Sequence, residues 1–387
     1  MSLDEIFNAL LRPRENGTSA LAEAANYLEH TLRMSGAHVT VHEFVCRPYV
    51  GRIAGVVCFV LAMLFFALMR RRQFVGALLV ALLLPAYWLI DYELRLPLVS
   101  RVGSVVERNL IAEFPVSQPQ RRVILSAHFD SQTELFDSQR HGPLKYLIGP
   151  FALFTIALPA TALWRGWRRR SERHVRAWAA IVPMYFAGVC LVMTGGALVR
   201  ARSPGALDDG AAVATLAELA QRLGAGTPRL DRTEIDIVLF AGQEVGLQGS
   251  ARYVADQLPA LAALPTYVIN GETWGFGPDL SYFTSDRSAL KRYDASTPLV
   301  RTLDRAYRGV THAGIVPDIR PMTTDARSFL AAGIPSVTLS SQLDGEKRIY
   351  GLHSSADSRD RIQPAAVART LEFLEAALVE IDVHGIE

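Results

Sequence analysis

The chain has 387 residues, enough for one large domain or two ordinary ones. Its formal charge is only +2, so no global basic field argues for nucleic acid as a partner. Half the residues are hydrophobic and 20% are charged, with a positive mean hydropathy, so the apolar residues must be concentrated in particular stretches. Cys46, Cys58 and Cys190 form no CxxC and no spaced pairs, which indicates neither a disulfide framework nor a thiolate metal site. The opening MSLDEIFNALLRPRENG lacks the apolar core and small-residue cleavage site of a secretory signal peptide.

Residues 18–35 carry Leu21, Ala24, Ala25, Leu28 and Leu32 at helical spacing, and HVTVHEFV after them alternates as a strand. Two apolar runs follow, 53–69 and 74–90, joined by Arg70, Arg71 and Arg72. RNLIAEFP (108–115) reads as a sheet neighbour of HVTVHEFV, and RVILSA (122–127) as a short apolar strand. A second pair of runs, 146–164 and 177–199, is joined by a turn with Arg165, Arg168, Arg169, Arg170, Arg173 and Arg176. Beyond it, the strands IDIVLFA (235–241), TYVIN (266–270) and SVTLS (336–340) alternate with helical patterns at 209–223, 288–308 and 363–381. This alternation predicts an α/β domain with a mixed, largely parallel sheet covered by helices on both faces.

Each of the four apolar runs is near the roughly 20 residues needed to cross a hydrocarbon core. Two readings compete: buried core hairpins of a large soluble protein, or two transmembrane helical hairpins. The crowd of arginines in the second turn, and Trp88, Trp164, Trp167 and Trp178 near segment ends, favour the bilayer. The predicted organisation is one domain in three pieces (1–49, 93–144 and 200–387) interrupted by hairpins at 50–92 and 145–199. Short Arg-rich turns favour the cytoplasm, which puts the three pieces on the extracytoplasmic face of a multi-pass protein with four spans. A transporter or channel is disfavoured, because the runs contain no ionisable residue to line a path.

Sheets of this kind place their sites beyond the carboxyl ends of strands. After RVILSA comes His128-Phe129-Asp130, in which Asp130 can orient the imidazole of a ligating histidine. Alone the pair is weak, since a surface histidine beside a loop aspartate is common. Asp208 and Asp209 stand where a helix begins, and each is first of all a candidate cap. Glu244 follows IDIVLFA on a Gly-flanked turn, and Glu272 directly follows TYVIN; a carboxylate in such a place needs a partner. His353 lies in the loop after SVTLS. Two histidines and three carboxylates at one sheet edge are the pattern of a metal site.

In these blocks and their order the chain resembles the zinc aminopeptidase family that includes bacterial leucyl aminopeptidase, aminopeptidase S and aminopeptidase Y. Glutamate carboxypeptidase and glutaminyl cyclase are more distant relatives. AHFDS is similar to the family's H-x-D-S step, GALDDGAA to its G-A-x-D-N-A-S-G turn, and FAGQEVGLQGS to G-E-E-x-G-L-x-G-S. INGETWG is similar to N-x-D-M-x-G, while TTDARSFLAAGIPSV and GLHSSADS match S-D-H-x-x-F…G-I-P and Y-H-T-x-x-D. The resemblance implies two zinc ions, one held by His128, Asp208 and Glu272, the other by Asp208, Glu244 and His353, with Asp208 bridging and Asp325 nearby. The implied activity is removal of N-terminal residues from peptides or aminoacyl amides by a membrane-anchored metallo-exopeptidase.

Two departures matter. Gln243 stands where the family has the glutamate that takes a proton from the metal-bound water, and an amide can hold water but cannot accept that proton. Glu272 replaces an aspartate and adds a methylene; it, or Asp209, is a candidate to take over proton transfer. Gln243 therefore also motivates a different class, a pseudoenzyme binding metal or peptide on a peptidase scaffold. Glutaminyl cyclisation has little support, because it too uses a glutamate at that position. Trp274, Phe276, Tyr282 and Tyr350 are candidates to wall a side-chain pocket.

Overall fold

Short apolar strands with helices between them assemble as the alternation predicts. The computed structural model describes residues 2–94, 96, 98–135, 147–199, 201–288, 290–320, 322–342 and 349–386. Among the described residues there are ten strands: β1 (His38–Cys46), β2 (Val105–Phe114), β3 (Arg121–His128), β4 (Thr233–Phe240), β5 (Thr266–Glu272), β6 (Leu280–Phe283), β7 (Ser285–Arg287), β8 (Arg292–Asp294), β9 (Val316–Asp318) and β10 (Ser336–Ser341). Eight form one sheet in the order β1-β2-β4-β3-β5-β10-β6-β9, while β7 and β8 pair separately. The centre, β4-β3-β5-β10, is parallel; β1 and β2 are antiparallel, as is β6 against β10.

The central strands send alternate residues to opposite faces, and helices cover both. Val123, Leu125 and Ala127 of β3, with Ile235, Ile237 and Leu239 of β4, join a core that includes the helices Ser19–Met34, Ala211–Gly224, Thr297–Thr311 and Pro364–His384. Ile124, Val238, Phe240 and Val268 face the other way, against Tyr253, Val254 and Phe329. The first long helix buries Leu21, Ala24, Ala25, Leu28 and Leu32, the predicted stripe. The predicted helix 288–308 differs. Its first part is the β7–β8 hairpin, and the helix begins only at Thr297, behind Ser296, whose hydroxyl accepts from the Leu299 N–H. Pro298 explains the position, because a proline is accommodated in a first turn and not deeper.

The chain divides into two units. One comprises residues 1–48, 105–133 and 201–387; the other comprises 49–104 and 134–200. The predicted boundary at 144–145 lies outside the described residues.

Among the described residues of the second unit, three helices are long and apolar enough to cross a membrane: Val50–Arg70, Phe74–Asp91 and Arg173–Val199. The remaining apolar run forms the helix Ile148–Trp167, with Pro159 inside it; residue 146 lies outside the described residues. Val50–Arg70 packs closely on Ile181–Val199, since a Cβ on Gly55 would meet Cys190 Cα at 3.2 Å. Phe151 stacks on Tyr185 with ring centroids 3.8 Å apart. The outward faces carry Val60, Val75, Leu79, Leu153, Met184 and Leu198, all exposed. Arg176 Nη1 donates to the Arg70 carbonyl and Arg72 pairs with Glu172, so the two Arg-rich turns meet at one end of this unit.

Gly249 opens a helix where a Cβ would come 2.0 Å from the Ala241 carbonyl oxygen and 2.6 Å from Asn109 Oδ1. Gly249→Ala is expected to destabilise the fold by about 1–3 kcal/mol through overpacking. A lowered midpoint in chemical denaturation followed by tryptophan fluorescence checks this.

Candidate metal centre

The parallel strands bring their carboxyl ends to one edge of the sheet, and the side chains converge there. His128 ends β3 and Glu272 ends β5. Glu244 sits on the turn after β4, where Gly242 and Gly246 adopt φ of +74° and +106°. That turn is closed by the N–H groups of Gly246 and Leu247 donating to the Gln243 carbonyl. Asp208 and Asp209 occupy a turn before the helix Ala211–Gly224, have non-helical backbone angles and are joined by a cis peptide. They do not cap the helix.

Asp208 stands in the middle. Its Oδ1 lies 3.1 Å from His128 Nε2, and its Oδ2 lies 3.1 Å from His353 Nε2. Glu272 Oε1 is 3.6 Å from His128 Nε2, and Glu244 Oε2 is 3.2 Å from His353 Nε2. Two candidate ligand sets result, His128–Asp208–Glu272 and Asp208–Glu244–His353, each with its donor atoms within 4.8 Å of one another. A mixture of imidazole and carboxylate donors suits zinc. Glu244 Oε1 and Glu272 Oε2 are buried without a hydrogen-bond partner, which is costly unless a cation takes them up. The residues present therefore fit a metal.

A further layer fixes the backbone. Asp130 accepts from the N–H groups of Gln243 (3.3 Å) and Glu244 (3.1 Å) and from Asn16 Nδ2 (2.7 Å). His128 Nδ1 lies 3.2 Å from the Asp130 carbonyl and 3.5 Å from its carboxylate, so Asp130 touches both halves of the site. Asp357 accepts from the N–H groups of Leu207 and Asp208, and Asp209 from that of Thr273. Arg14, fully buried, donates to the carbonyls of Phe129 (2.7 Å), Pro204 (2.7 Å) and Gly205 (3.1 Å), and also to that of Leu10. It thereby ties the segment after His128 to the segment before Asp208. Sequence reasoning passed over Arg14, Asn16 and the role of Asp357, because an arginine in RPRENG carries no sign that its guanidinium will be buried.

Trp274 does not wall a pocket. It is fully buried, its Nε1 donates to the Leu339 carbonyl, and a Cβ on Gly271 would press on its ring at 2.8 Å. Tyr282 packs against the core from β6. Phe276 is half-buried and Tyr350 exposed, at the ends of the loops that follow Glu272 and precede His353.

The electrostatics reflect so many carboxylates out of water. Burial pushes the Glu244 carboxyl up to about 7, with His353 opposing and Asp208 adding to the rise. Burial likewise raises Asp325 to about 7 and Asp357 to about 6, and raises Glu272 and Asp209. Asp208 is held below the usual range despite its burial, through its contacts with His128 and His353. Burial opposes charge on His128, but Asp130, Asp208 and Glu272 outweigh it and raise its pKa.

With this geometry in view, residues 192–378, a little under half of the chain, match the model of peptidase family M28. No curated protein matches. Among solved structures the chain resembles the LapA aminopeptidase of Legionella pneumophila (13% identity, TM-score 0.54), over 100% of this chain and 73% of that one. It also resembles a Zn-dependent exopeptidase from Parabacteroides distasonis (16%, TM-score 0.56, 97% of each chain). A third likeness is to Fimbriiglobus ruber glutaminyl cyclase (16%, TM-score 0.57, 98% of this chain and 92% of that one). The fold is that of the zinc exopeptidases. The M28 match includes Asp208, Glu244, Glu272 and His353, while His128 and Asp130 lie before it.

A carboxyl whose folded pKa exceeds its unfolded value of about 4 stabilises the fold below that value and loses the contribution as pH rises through the folded pKa. Chelator-treated protein is therefore expected to lose melting temperature as pH rises from about 4 and to level off above about 7, the upper limit set by Asp357, Glu244 and Asp325. Added zinc should remove most of that slope. Thermal scans across pH with and without zinc check this.

Proposed function

We propose that this protein is a membrane-anchored, zinc-dependent exopeptidase of aminopeptidase type, acting on peptides or aminoacyl amides with a weakened general base. The observation that carries the reading is Asp208, whose two oxygens each face a different histidine and which belongs to both candidate ligand sets, one with Glu272 and one with Glu244. His128, Asp208 and Glu272 would hold one zinc, and Asp208, Glu244 and His353 the other. When bound, two such ions polarise a scissile carbonyl and acidify a shared water.

The chain's own residues set the rest. Asp130 holds the backbone of Gln243 and Glu244 through adjacent N–H groups, so the amide at 243 and the ligand at 244 keep a fixed relation. Gln243 can position water by hydrogen bonds but cannot take its proton. Asp209 is turned to the Thr273 N–H through Oδ1 and Glu272 Oε1 faces His128, while Asp209 Oδ2 and Glu272 Oε2 have no hydrogen-bond partner among the described residues. Gln243 also favours a second reading, a pseudoenzyme that binds metal or peptide without efficient turnover.

The helices Val50–Arg70, Phe74–Asp91 and Arg173–Val199, together with Ile148–Trp167, are read as four spans in the bilayer. The meeting of the two Arg-rich turns supports a cytoplasmic end, with the exopeptidase-like unit extracytoplasmic.

Detergent-purified protein is expected to hold two zinc ions, with Glu244→Ala and His353→Ala each lowering the zinc content. Restoring a carboxylate by Gln243→Glu should speed hydrolysis of aminoacyl-p-nitroanilides by roughly 100- to 10,000-fold. Turnover by wild type and its rise in the variant support the hydrolase. Activity in the variant alone selects the pseudoenzyme, and absence of zinc from both sinks the ligand assignment.

A further inference from the structure

Arg361, four residues after Asp357, has a guanidinium nitrogen without a hydrogen-bond partner among the described residues. The Arg361 guanidinium lies 4.6 Å from the Tyr350 ring centroid and 5.3 Å from that of Phe276. Those two aromatics come from the two ligand-bearing loops, one shortly after Glu272 and the other shortly before His353. Arg361 Nη1 donates to the Ala356 carbonyl at 3.4 Å and lies 3.3 Å from where a Cβ on Gly351 would stand. Ala356 precedes Asp357, which receives the Asp208 N–H. Phe276 is itself pinned, its N–H donating to Ser341 Oγ and its carbonyl accepting from Gln363 Nε2. Arg361 Nη2, in contrast, is buried and has no hydrogen-bond partner among the described residues.

We propose that Arg361 recognises a carboxylate on the bound peptide. The proposal rests on the peptide-substrate reading above and names the substrate class: short peptides with a free C-terminal carboxylate, or peptides with an acidic side chain. A guanidinium held between two rings gains from cation–π contact and gives up its side-chain freedom before any ligand arrives. Its planar fork matches a carboxylate. A latch for the loop that carries His353 would need only Nη1, which reaches Ala356. The second nitrogen, desolvated and unsatisfied, is the part a latch does not use, and an incoming carboxylate supplies the missing acceptor.

The test is equilibrium binding to the zinc-loaded, full-length protein, using dipeptide analogues whose scissile bond is reduced so that none is consumed. One pair compares a leucyl-glycine analogue bearing a free carboxylate with its C-terminal amide. A second pair compares glutamate with glutamine at the second position, both amidated. In at least one pair the carboxylate is expected to bind roughly tenfold tighter, and whichever pair discriminates identifies its source. Arg361→Gln should abolish the preference. Should that variant fail to fold, Arg361→Lys, which keeps the charge without the planar fork, should reduce the preference at an unchanged melting temperature. Equal binding within both pairs, or a preference that survives substitution in full, overturns the proposal. Discrimination without hydrolysis of any aminoacyl anilide leaves the role of Arg361 standing and removes the catalytic part of the proposed function.

Discussion

Burying several carboxylates at one point is the constraint around which the exopeptidase-like unit is arranged. Asp208, Asp209, Glu272, Asp325 and Asp357 are all nearly inaccessible to water, and Glu244 is scarcely more exposed. Desolvated acids repel one another and resist ionisation, so the cluster persists only where cations, N–H groups or protons compensate. His128 and His353 supply part of the compensation, and Arg14 supplies a fixed positive charge close by. The unsatisfied oxygens of Glu244 and Glu272 mark what remains for a metal.

The surrounding fold can be understood as the means of holding that cluster still. Four parallel strands end together, in a register that puts His128 opposite Phe240 and Glu272 opposite Ser340. Further carboxylates clamp the backbone around the cluster: Asp130 accepts from Gln243 and Glu244, Asp357 from Asp208, and Asp209 from Thr273. Such outer contacts orient ligands and tune their basicity. Gln243 enters this frame without disturbing it, because Asp130 grips its main chain and not its side chain.

The second unit obeys a different rule. Its helices leave large apolar side chains uncovered on their outer faces, and they pack on one another through small or aromatic residues such as Gly55, Phe151 and Tyr185. Small residues at a helix contact allow close approach of the two backbones. Ionisable groups are confined to the turns and ends, where Asp91, for example, receives the N–H groups of Leu98, Val99 and Ser100.

The sequence by itself determined the strands, their apolar alternation, the apolar runs and the five residues brought together at the sheet edge. These are written locally: periodicity declares an element, and an acid or histidine immediately after a buried strand declares a place where the chain meets the site. Tertiary structure decided what depends on distant segments. Asp208 and Asp209 look like caps until the fold sets one between two histidines and turns the other to Thr273. Trp274 looks like a pocket wall until β10 closes over it. The Thr297–Thr311 helix starts later than the helical pattern predicts, because Pro298 fits only a first turn. Arg14 and Arg361 were invisible for the same reason: an arginine's role depends on which carbonyls, rings and carboxylates surround it, and those come from segments up to 191 residues away.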